Sequence, residues 1–175
     1  MLPKAYAWLD SVGPLPRMLV EALKLFDTRE QPGPGNNAVI MGWANEVGLA
    51  SIYSADAVPW CGLFMAVVAK RAGKPIPKDP LWALNWLKFG EDSGQPDLGD
   101  VVVFVREGGG HVGLYVGEDR AAYHVLGGNQ SDRVCFTRIE KKRLKGARRF
   151  YAVGAPPSVR PYFLEAAGAL SLNEA

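Results

Sequence analysis

The chain has 175 residues, of which 48% are hydrophobic, 22% charged and 10% aromatic, a balance typical of a folded globular protein rather than a disordered one. A chain of this length buries roughly two thirds of its unfolded surface, so we expect one domain that needs no metal or disulfide to hold its core. The 20 Lys and Arg residues against 18 Asp and Glu residues give a formal charge of +2, which argues against nucleic-acid binding through overall basic charge.

The sequence lacks the apolar runs of membrane and secreted proteins. It has no stretch of about 18 apolar residues, so no membrane span is expected. Asp10, Pro14 and Pro16 interrupt the N-terminal segment, so no secretory signal is expected either. We therefore expect synthesis and initial retention in a cytoplasm, where Cys61 and Cys135 are free thiols rather than a disulfide.

Apolar spacing predicts helices in the first half of the chain. The first covers residues 17–28 and is followed by a Pro and Gly turn at residues 31–35. The second begins at a cap supplied by Asn36 or Asn37 and ends at Gly48. The residues of this helix expected to face the core are Val39, Ile40, Trp43 and Val47.

Two further helices are predicted before the strands begin. One runs from Trp60 to Ala72, because Pro59 keeps the preceding residue extended and Gly73 supplies a C-terminal cap. The other runs from an N-cap at Asp79 to residue 89. The aromatic residues on one side of this helix are Trp82, Trp86 and Phe89. They are interpreted either as part of the hydrophobic core or as a platform that binds substrate.

The second half of the chain has the pattern of strands. Four short strands are predicted at residues 101–105, 111–116, 121–126 and 133–139, separated by glycine-bearing or charged turns. Consecutive short strands favour an antiparallel meander. The expected fold class is α+β, with N-terminal helices packed on a mostly antiparallel sheet. We expect a single domain over residues 1–175 with its core at about 18–151, whereas residues 1–17 and 152–175 are peripheral and residues 161–175 form a last helix or stay loose.

Cys61 opens the helix that follows Pro59 and Trp60. Unpaired backbone N–H groups and the helix dipole favour a thiolate at such a position, which is how a nucleophilic cysteine is activated. A nucleophilic thiolate also needs a histidine and a polar group that orients the histidine. A buried structural thiol is the alternative interpretation of a lone cysteine here.

Only two histidines can serve as the partner of Cys61. His111 follows three glycines and opens a predicted strand, which allows close approach of backbone on its N-terminal side. His124 lies in the middle of the next strand, where we expect a packed or surface strand residue rather than a catalytic one. The orienting amide is expected from Asn129 or Gln130, whose turn returns close to His111 if the two strands form a hairpin.

The order cysteine, histidine, amide is accompanied by three specific motifs: PWCGLF at residues 59–64, GHVGLYVG at 110–117 and LGGNQ at 126–130. Together with PGPGNN at 32–37 and LGDVVVF at 98–104, they make residues 18–151 resemble the papain-like cell-wall hydrolases of the CHAP and NlpC types. The resemblance is to small members found in bacteriophages and prophages.

The resemblance implies a papain-like single domain that hydrolyses peptidoglycan as a cysteine amidase or endopeptidase, in the manner of an endolysin. Residue by residue, Cys61 matches the family nucleophile, His111 the base and Asn129 the polar residue that orients the base. Many family members carry a Glu-Gly-Asn run at the third site, whereas this chain has Gly127, Gly128 and Asn129. The orienting group must therefore be an amide, which can accept a hydrogen bond from the imidazole N–H.

The same resemblance sets the expected partners and location. The partner is bacterial peptidoglycan, reached from the host cytoplasm through a holin or a delivery apparatus, and no nucleic acid is expected. Neither a cofactor nor a metal is expected, because the two cysteines and two histidines lack the short spacings of zinc sites. The sequence indicates no oligomeric state. Residues expected to contact substrate or catalytic groups are Tyr53, Asp56, Trp60 and Gln130.

Two alternatives of other kinds stay open at this point. An inactive papain-like module of a phage virion would bind or support without turnover, and a toxin-like effector would use the same chemistry against a competitor. Seven basic residues and one acidic residue lie between residues 138 and 149. This run indicates either attraction to anionic wall polymers or an ordinary solvated surface.

Overall fold

The computed structural model describes residues 1–166, 168–172 and 174. Its α-helices are α1 (Arg17–Leu23), α2 (Ala38–Glu46) and α3 (Cys61–Arg71). Short 3₁₀ helices cover Lys4–Asp10, Ala83–Lys88 and Lys141–Arg143. The strands are β1 (Glu91–Asp92), β2 (Val101–Arg106), β3 (Gly109–Glu118), β4 (Ala122–Gly127), β5 (Cys135–Glu140) and β6 (Leu144–Arg149).

The strands form one antiparallel sheet in the order β1-β6-β2-β3-β4-β5. The predicted α+β class is confirmed, and so is the meander, because β2 to β5 are neighbours in chain order. The sequence analysis missed β1 and β6. Strand β1 has only two residues, and β6 reads LKGARR, a basic segment without the apolar alternation that marks a strand.

Both faces of the sheet are buried, which explains the uninterrupted apolar run of β2. Val101 and Val103 face the cluster that contains α3, whereas Val102 and Phe104 face a second, smaller cluster on the other side. Successive side chains of a strand point to opposite faces, so a strand covered on both sides needs apolar residues throughout. Helix α3 is the centre of the larger cluster, since every residue from Cys61 to Ala69 is buried.

The second and third predicted helices are confirmed with small changes of length. Asn37 caps α2, and its Oδ1 accepts a hydrogen bond from the Val39 backbone N–H at 2.7 Å. The inward placement of Val39 was wrong, because its side chain is 53% exposed while Ile40 and Trp43 are buried. Gly73 follows α3 with a φ of +68°, as its predicted cap requires. Helix α1 is shorter than predicted.

The helix predicted over residues 79–89 is only a 3₁₀ helix from Ala83 to Lys88. Asp79 has a φ of +52° and so does not act as an N-cap. The carbonyl oxygen of Asp79 accepts hydrogen bonds from the Trp82 backbone N–H at 3.2 Å and from Asn85 Nδ2 at 3.0 Å, so a turn stands where the first helical turn was predicted. The aromatic side therefore divides: Trp86 and Phe89 are buried, whereas Trp82 is 73% exposed.

The terminal segments attach to the sheet. The 3₁₀ helix Lys4–Asp10 buries Tyr6 and Leu9. The backbone of Leu164 donates to Glu118 at 2.8 Å, and that of Ser171 donates to Arg138 at 2.8 Å. Of the two alternatives for residues 161–175, a last helix or a loose segment, the helix is absent from the described part, which contacts the end of β3 and the edge strand β5; residues 167, 173 and 175 lie outside the description. Among the described residues no helix is both long and apolar enough to cross a membrane.

Candidate active site

Cys61 is the first residue of α3, as the sequence predicts, and its side chain is 4% exposed. The backbone groups of Val112 and Gly62 hydrogen-bond to the sulfur. Burial nevertheless raises the pKa of the Cys61 thiol, and these hydrogen bonds and the charge of Arg106 offset it only in part. The expectation of a stabilised thiolate is therefore not met, because loss of water outweighs the helix terminus.

The start of α3 lies where β3 and β4 separate. The ladder between these strands begins at the pair Leu114 and Leu126, and the chain beyond Leu126 turns across α3. A Cβ added to Gly128 would lie 2.6 Å from Phe64 Cβ and 2.8 Å from Trp60 Cζ3. Glycine is thus needed for the turn to approach the nucleophile helix, which brings the LGGNQ motif to the PWCGLF motif.

His111 directly precedes Val112, whose backbone contacts the Cys61 sulfur, so His111 and the Cys61 sulfur both lie near the start of β3. His111 Nε2 lies 2.9 Å from Gln130 Oε1. The amide nitrogen of Gln130 donates to the carbonyl oxygens of Val125, at 3.3 Å, and Cys135, which fixes the amide with its oxygen toward the imidazole. An amide oxygen only accepts, so Nε2 carries the proton and Nδ1 is the basic nitrogen.

The pKa of His111 falls to about 4, because burial of the imidazole outweighs the charge of Glu174 and the hydrogen bond of Gln130, both of which raise it. The charges of Arg106 and Arg143 lower this pKa further. The imidazole is therefore neutral at pH 7, the protonation state that a general base requires.

The amide that contacts the His111 imidazole is that of Gln130, whereas the family resemblance assigned this contact to Asn129. Asn129 has a φ of +55° and shapes the turn, and the amide that reaches the imidazole belongs to the following residue. The sequence left both Asn129 and Gln130 as candidates, because the backbone conformation of the turn decides which of two adjacent amide side chains points toward the imidazole.

The other predicted contact residues anchor the loop before Cys61. Trp60 Nε1 donates to Glu30 Oε2 at 3.2 Å, and Tyr53 Oη donates to the Val58 carbonyl at 3.1 Å. Asp56 Oδ2 accepts two backbone N–H groups of the preceding loop, at 2.7 and 2.9 Å. All three side chains are buried, so their contacts position the start of α3.

His124 belongs to a separate buried network, so of the two predicted alternatives, a packed or a surface strand residue, it is the packed one. Tyr6 Oη lies 2.9 Å from Nδ1, and Asp119 Oδ2 lies 2.9 Å from Nε2. Arg138 Nε donates to the same carboxylate oxygen at 2.7 Å. Both imidazole nitrogens are thus engaged, and the network fastens the N-terminal 3₁₀ helix to β4 and β5.

Both cysteines are free, as predicted. Cys135 is the first residue of β5 rather than a mid-strand residue, and its Sγ donates to the carbonyl of Gln130 at 3.2 Å. Burial raises the pKa of the Cys135 thiol. Cys135 therefore supports the turn that carries Gln130 and is not an activated thiol.

The basic run at residues 138–149 is mostly engaged within the protein. Six of its seven basic side chains pair with carboxylates, which leaves little free positive charge for anionic polymers. The pairs are Arg138 with Asp119, Lys141 with Glu118, Lys142 with Glu140, Arg143 with Glu174, Arg148 with Asp92, and Arg149 with Asp97 and Asp100.

Sequence reasoning missed the charged groups beside His111. Arg143 attracted attention only as part of the basic run, and Arg106 and Glu174 attracted none. The only signal was that Arg106 directly follows the strand predicted at residues 101–105, two residues before the GGGH segment. Glu174 lies 63 residues beyond His111, and no local pattern indicates such a contact.

Within residues 1–166, 168–172 and 174, no group of three or more His, Cys, Asp or Glu side chains is arranged to hold a metal ion. No protein-family model matches the chain, and no curated protein matches it.

Proposed function

We propose that this chain is a papain-like cysteine hydrolase that cleaves an amide bond of peptidoglycan, with Cys61 as nucleophile, His111 as general base and Gln130 as the residue that orients the base. The observation that carries the proposal is the end of β3. There Val112 contacts the Cys61 sulfur, and the adjacent His111 is held by Gln130 with Nδ1 unprotonated. A nucleophile at a helix start beside a strand that carries the base is also what the resemblance to the CHAP and NlpC types implies.

The reaction is an acyl transfer in two halves. The proton of the Cys61 thiol passes to His111 Nδ1 as the sulfur attacks the carbonyl carbon, and the imidazolium then protonates the leaving amine, which leaves a thioester on Cys61. Water next loses a proton to Nδ1 and attacks the thioester, so that a carboxylic acid leaves and the thiol is restored. Gln130 Oε1 accepts a hydrogen bond from the Nε2–H group throughout, which stabilises the transient imidazolium.

An oxyanion forms on the substrate carbonyl in each half. The backbone N–H of Cys61, at the start of α3, is suited to donate to that oxygen, since it has no partner within the helix. The same chemistry serves an amidase, which cuts between sugar and peptide, and an endopeptidase, which cuts within the peptide. The substrate, and a holin or delivery apparatus as the route to the wall, follow from the family resemblance.

A second candidate is an inactive papain-like module that binds or supports without turnover. The burial of both reactive groups favours it: Cys61 is 4% exposed, His111 is 2% exposed, and the thiol has a raised pKa. This candidate predicts that the Cys61 thiol stays unreactive and that peptidoglycan is bound but never cut.

The test is digestion of purified peptidoglycan by the full chain, with new termini identified by mass spectrometry. The wild type is expected to produce new termini and Cys61→Ala none, because only the thiol can form the thioester. Cys135→Ser is the matched control and is expected to keep the activity, since a serine hydroxyl retains the donation to the Gln130 carbonyl. A free lactyl-linked sugar identifies an amidase, and a new peptide amine identifies an endopeptidase. Cleavage by Cys61→Ala, or none by the wild type, contradicts the proposal.

A further inference from the structure

A buried ion pair joins Arg143 to Glu174. Arg143 Nη1 donates to Glu174 Oε1 at 2.8 Å, and Nη2 donates to Oε2 at 2.6 Å, so guanidinium and carboxylate meet through two parallel hydrogen bonds. Glu174 is 1% exposed. Two parallel N–H···O bonds are the geometry with which arginine recognises a carboxylate specifically.

This pair lies beside the candidate catalytic histidine. Arg143 Nε donates to the carbonyl oxygen of Val105 at 3.1 Å, and Val105 pairs across the sheet with Gly110, the residue before His111. A second guanidinium, that of Arg106, donates to the Gly110 carbonyl at 3.3 Å. The charge of Glu174 raises the pKa of the imidazole and the charges of both arginines lower it, so all three groups lie within electrostatic reach of His111.

Near the C-terminus, the side chain of Glu174 is buried whereas that of the nearby Leu172 is exposed. Leu172 is 87% exposed, whereas Glu174 is 1% exposed, the reverse of the usual preference of these side chains. Burial raises the pKa of the Glu174 carboxyl, but the hydrogen bonds and the charge of Arg143 act against burial, and the pKa is lowered. The site therefore holds an ionised carboxylate, and apolar packing does not account for the position of this segment.

We propose that Arg143 forms a carboxylate-binding subsite of the active site, which takes the free carboxylate of a peptide close to the amide that is cut, and that Glu174 occupies this subsite as an internal competitor. The proposal rests on the proposed function and deepens it, since it names the substrate as a peptide that bears a carboxylate. Peptidoglycan peptides carry such groups. Departure of Glu174 would vacate the subsite and uncover His111 for substrate.

The test measures carboxylate binding without turnover. The full chain, labelled with ¹⁵N, is titrated at pH 7 with N-acetyl-D-alanine and with its neutral amide, and the imidazole signals are followed by NMR. Only two histidines are present, and a His111→Gln variant identifies their signals. In Glu174→Ala the acid is expected to shift the His111 signals saturably at a concentration at least tenfold lower than in the wild type, while the amide leaves them unchanged.

The arginine is tested in the same background. Adding Arg143→Gln to Glu174→Ala is expected to abolish the shift by the acid, whereas adding Lys142→Ala, an exposed neighbour, is expected to keep it. Glu165→Ala alone, which removes an exposed carboxylate of the same stretch, is expected to behave as the wild type. Equal shifts by acid and amide, or binding that survives Arg143→Gln, overturn the proposal.

The second histidine reports folding in every variant. His124 lies in its own network with Tyr6 and Asp119, so its signals stay in place while the fold is intact. If Glu174→Ala moves them, Glu174→Gln replaces it, because that change removes the charge and keeps the size. Acid-specific binding without peptidoglycan cleavage by any variant retains the subsite and rejects the hydrolase. Cleavage of peptidoglycan together with equal binding of the acid and the amide retains the hydrolase and rejects the subsite.

Discussion

The two histidines of this chain lie on adjacent strands of one sheet, and both are buried, yet their surroundings give them different capacities. His124 has both nitrogens engaged, by Tyr6 and by the Asp119 carboxylate. Among the described residues, the hydrogen-bond partner of His111 is Gln130, through Nε2, so Nδ1 is left to take a proton. Burial lowers the pKa of both. Burial is common to both histidines. The difference is that Nδ1 of His124 has a hydrogen-bond partner, which makes His124 a structural residue, whereas Nδ1 of His111 is left to act as a candidate base.

Replacing each histidine in turn by glutamine is expected to give the largest difference between the two sites. His111→Gln is expected to lower kcat on peptidoglycan by about 10³-fold, because the general base is lost. Unfolding in urea should show little loss of stability for this variant. His124→Gln is expected to keep kcat within about twofold and to cost about 2 kcal/mol of unfolding free energy, because the buried Asp119 and Tyr6 lose a partner. Equal activity of the two variants would remove the distinction.

The partner of the imidazole gives a smaller and sharper test. Gln130→Ala is expected to lower kcat by about 100-fold with little change of KM, since the tautomer of His111 is no longer fixed. Asn129→Gly, the matched variant, keeps the positive φ of the turn and removes only the neighbouring amide, so activity is expected to be unchanged. Steady-state kinetics on purified peptidoglycan measures both. A large loss in Asn129→Gly alone would return the orienting role to Asn129.

Acid should weaken the fold through His111. Its pKa is about 4 in the folded protein and about 6.5 in the unfolded chain, so between these values the unfolded state binds more protons and stability falls as the pH falls. From pH 7 to pH 5 this contribution amounts to about 2 kcal/mol. Urea unfolding at the two pH values is expected to show a drop smaller by that amount in His111→Gln. Identical drops in the two proteins would show that His111 has an ordinary pKa.

Much of the scaffold was predictable because it follows from local patterns. Alternating and β-branched residues predicted β2 to β5, and Asn37 and Gly73 predicted one boundary each of α2 and α3. The positions of Cys61 at a helix start and His111 near the start of a strand were predictable for the same reason. The exposed position of Trp82 was not predictable, because a turn with a positive φ at Asp79 stands where the start of the helix was predicted.

The sequence by itself determined most of the elements, their order and the positions of Cys61 and His111 within them, since capping, periodicity and turn chemistry act over a few residues. Tertiary structure alone decided that Gln130 rather than Asn129 holds the imidazole and that the thiol of Cys61 is buried with a raised pKa. It alone also decided that Glu174 reaches Arg143 beside His111. These properties depend on loss of water and on charges far apart in the chain, which no local pattern encodes.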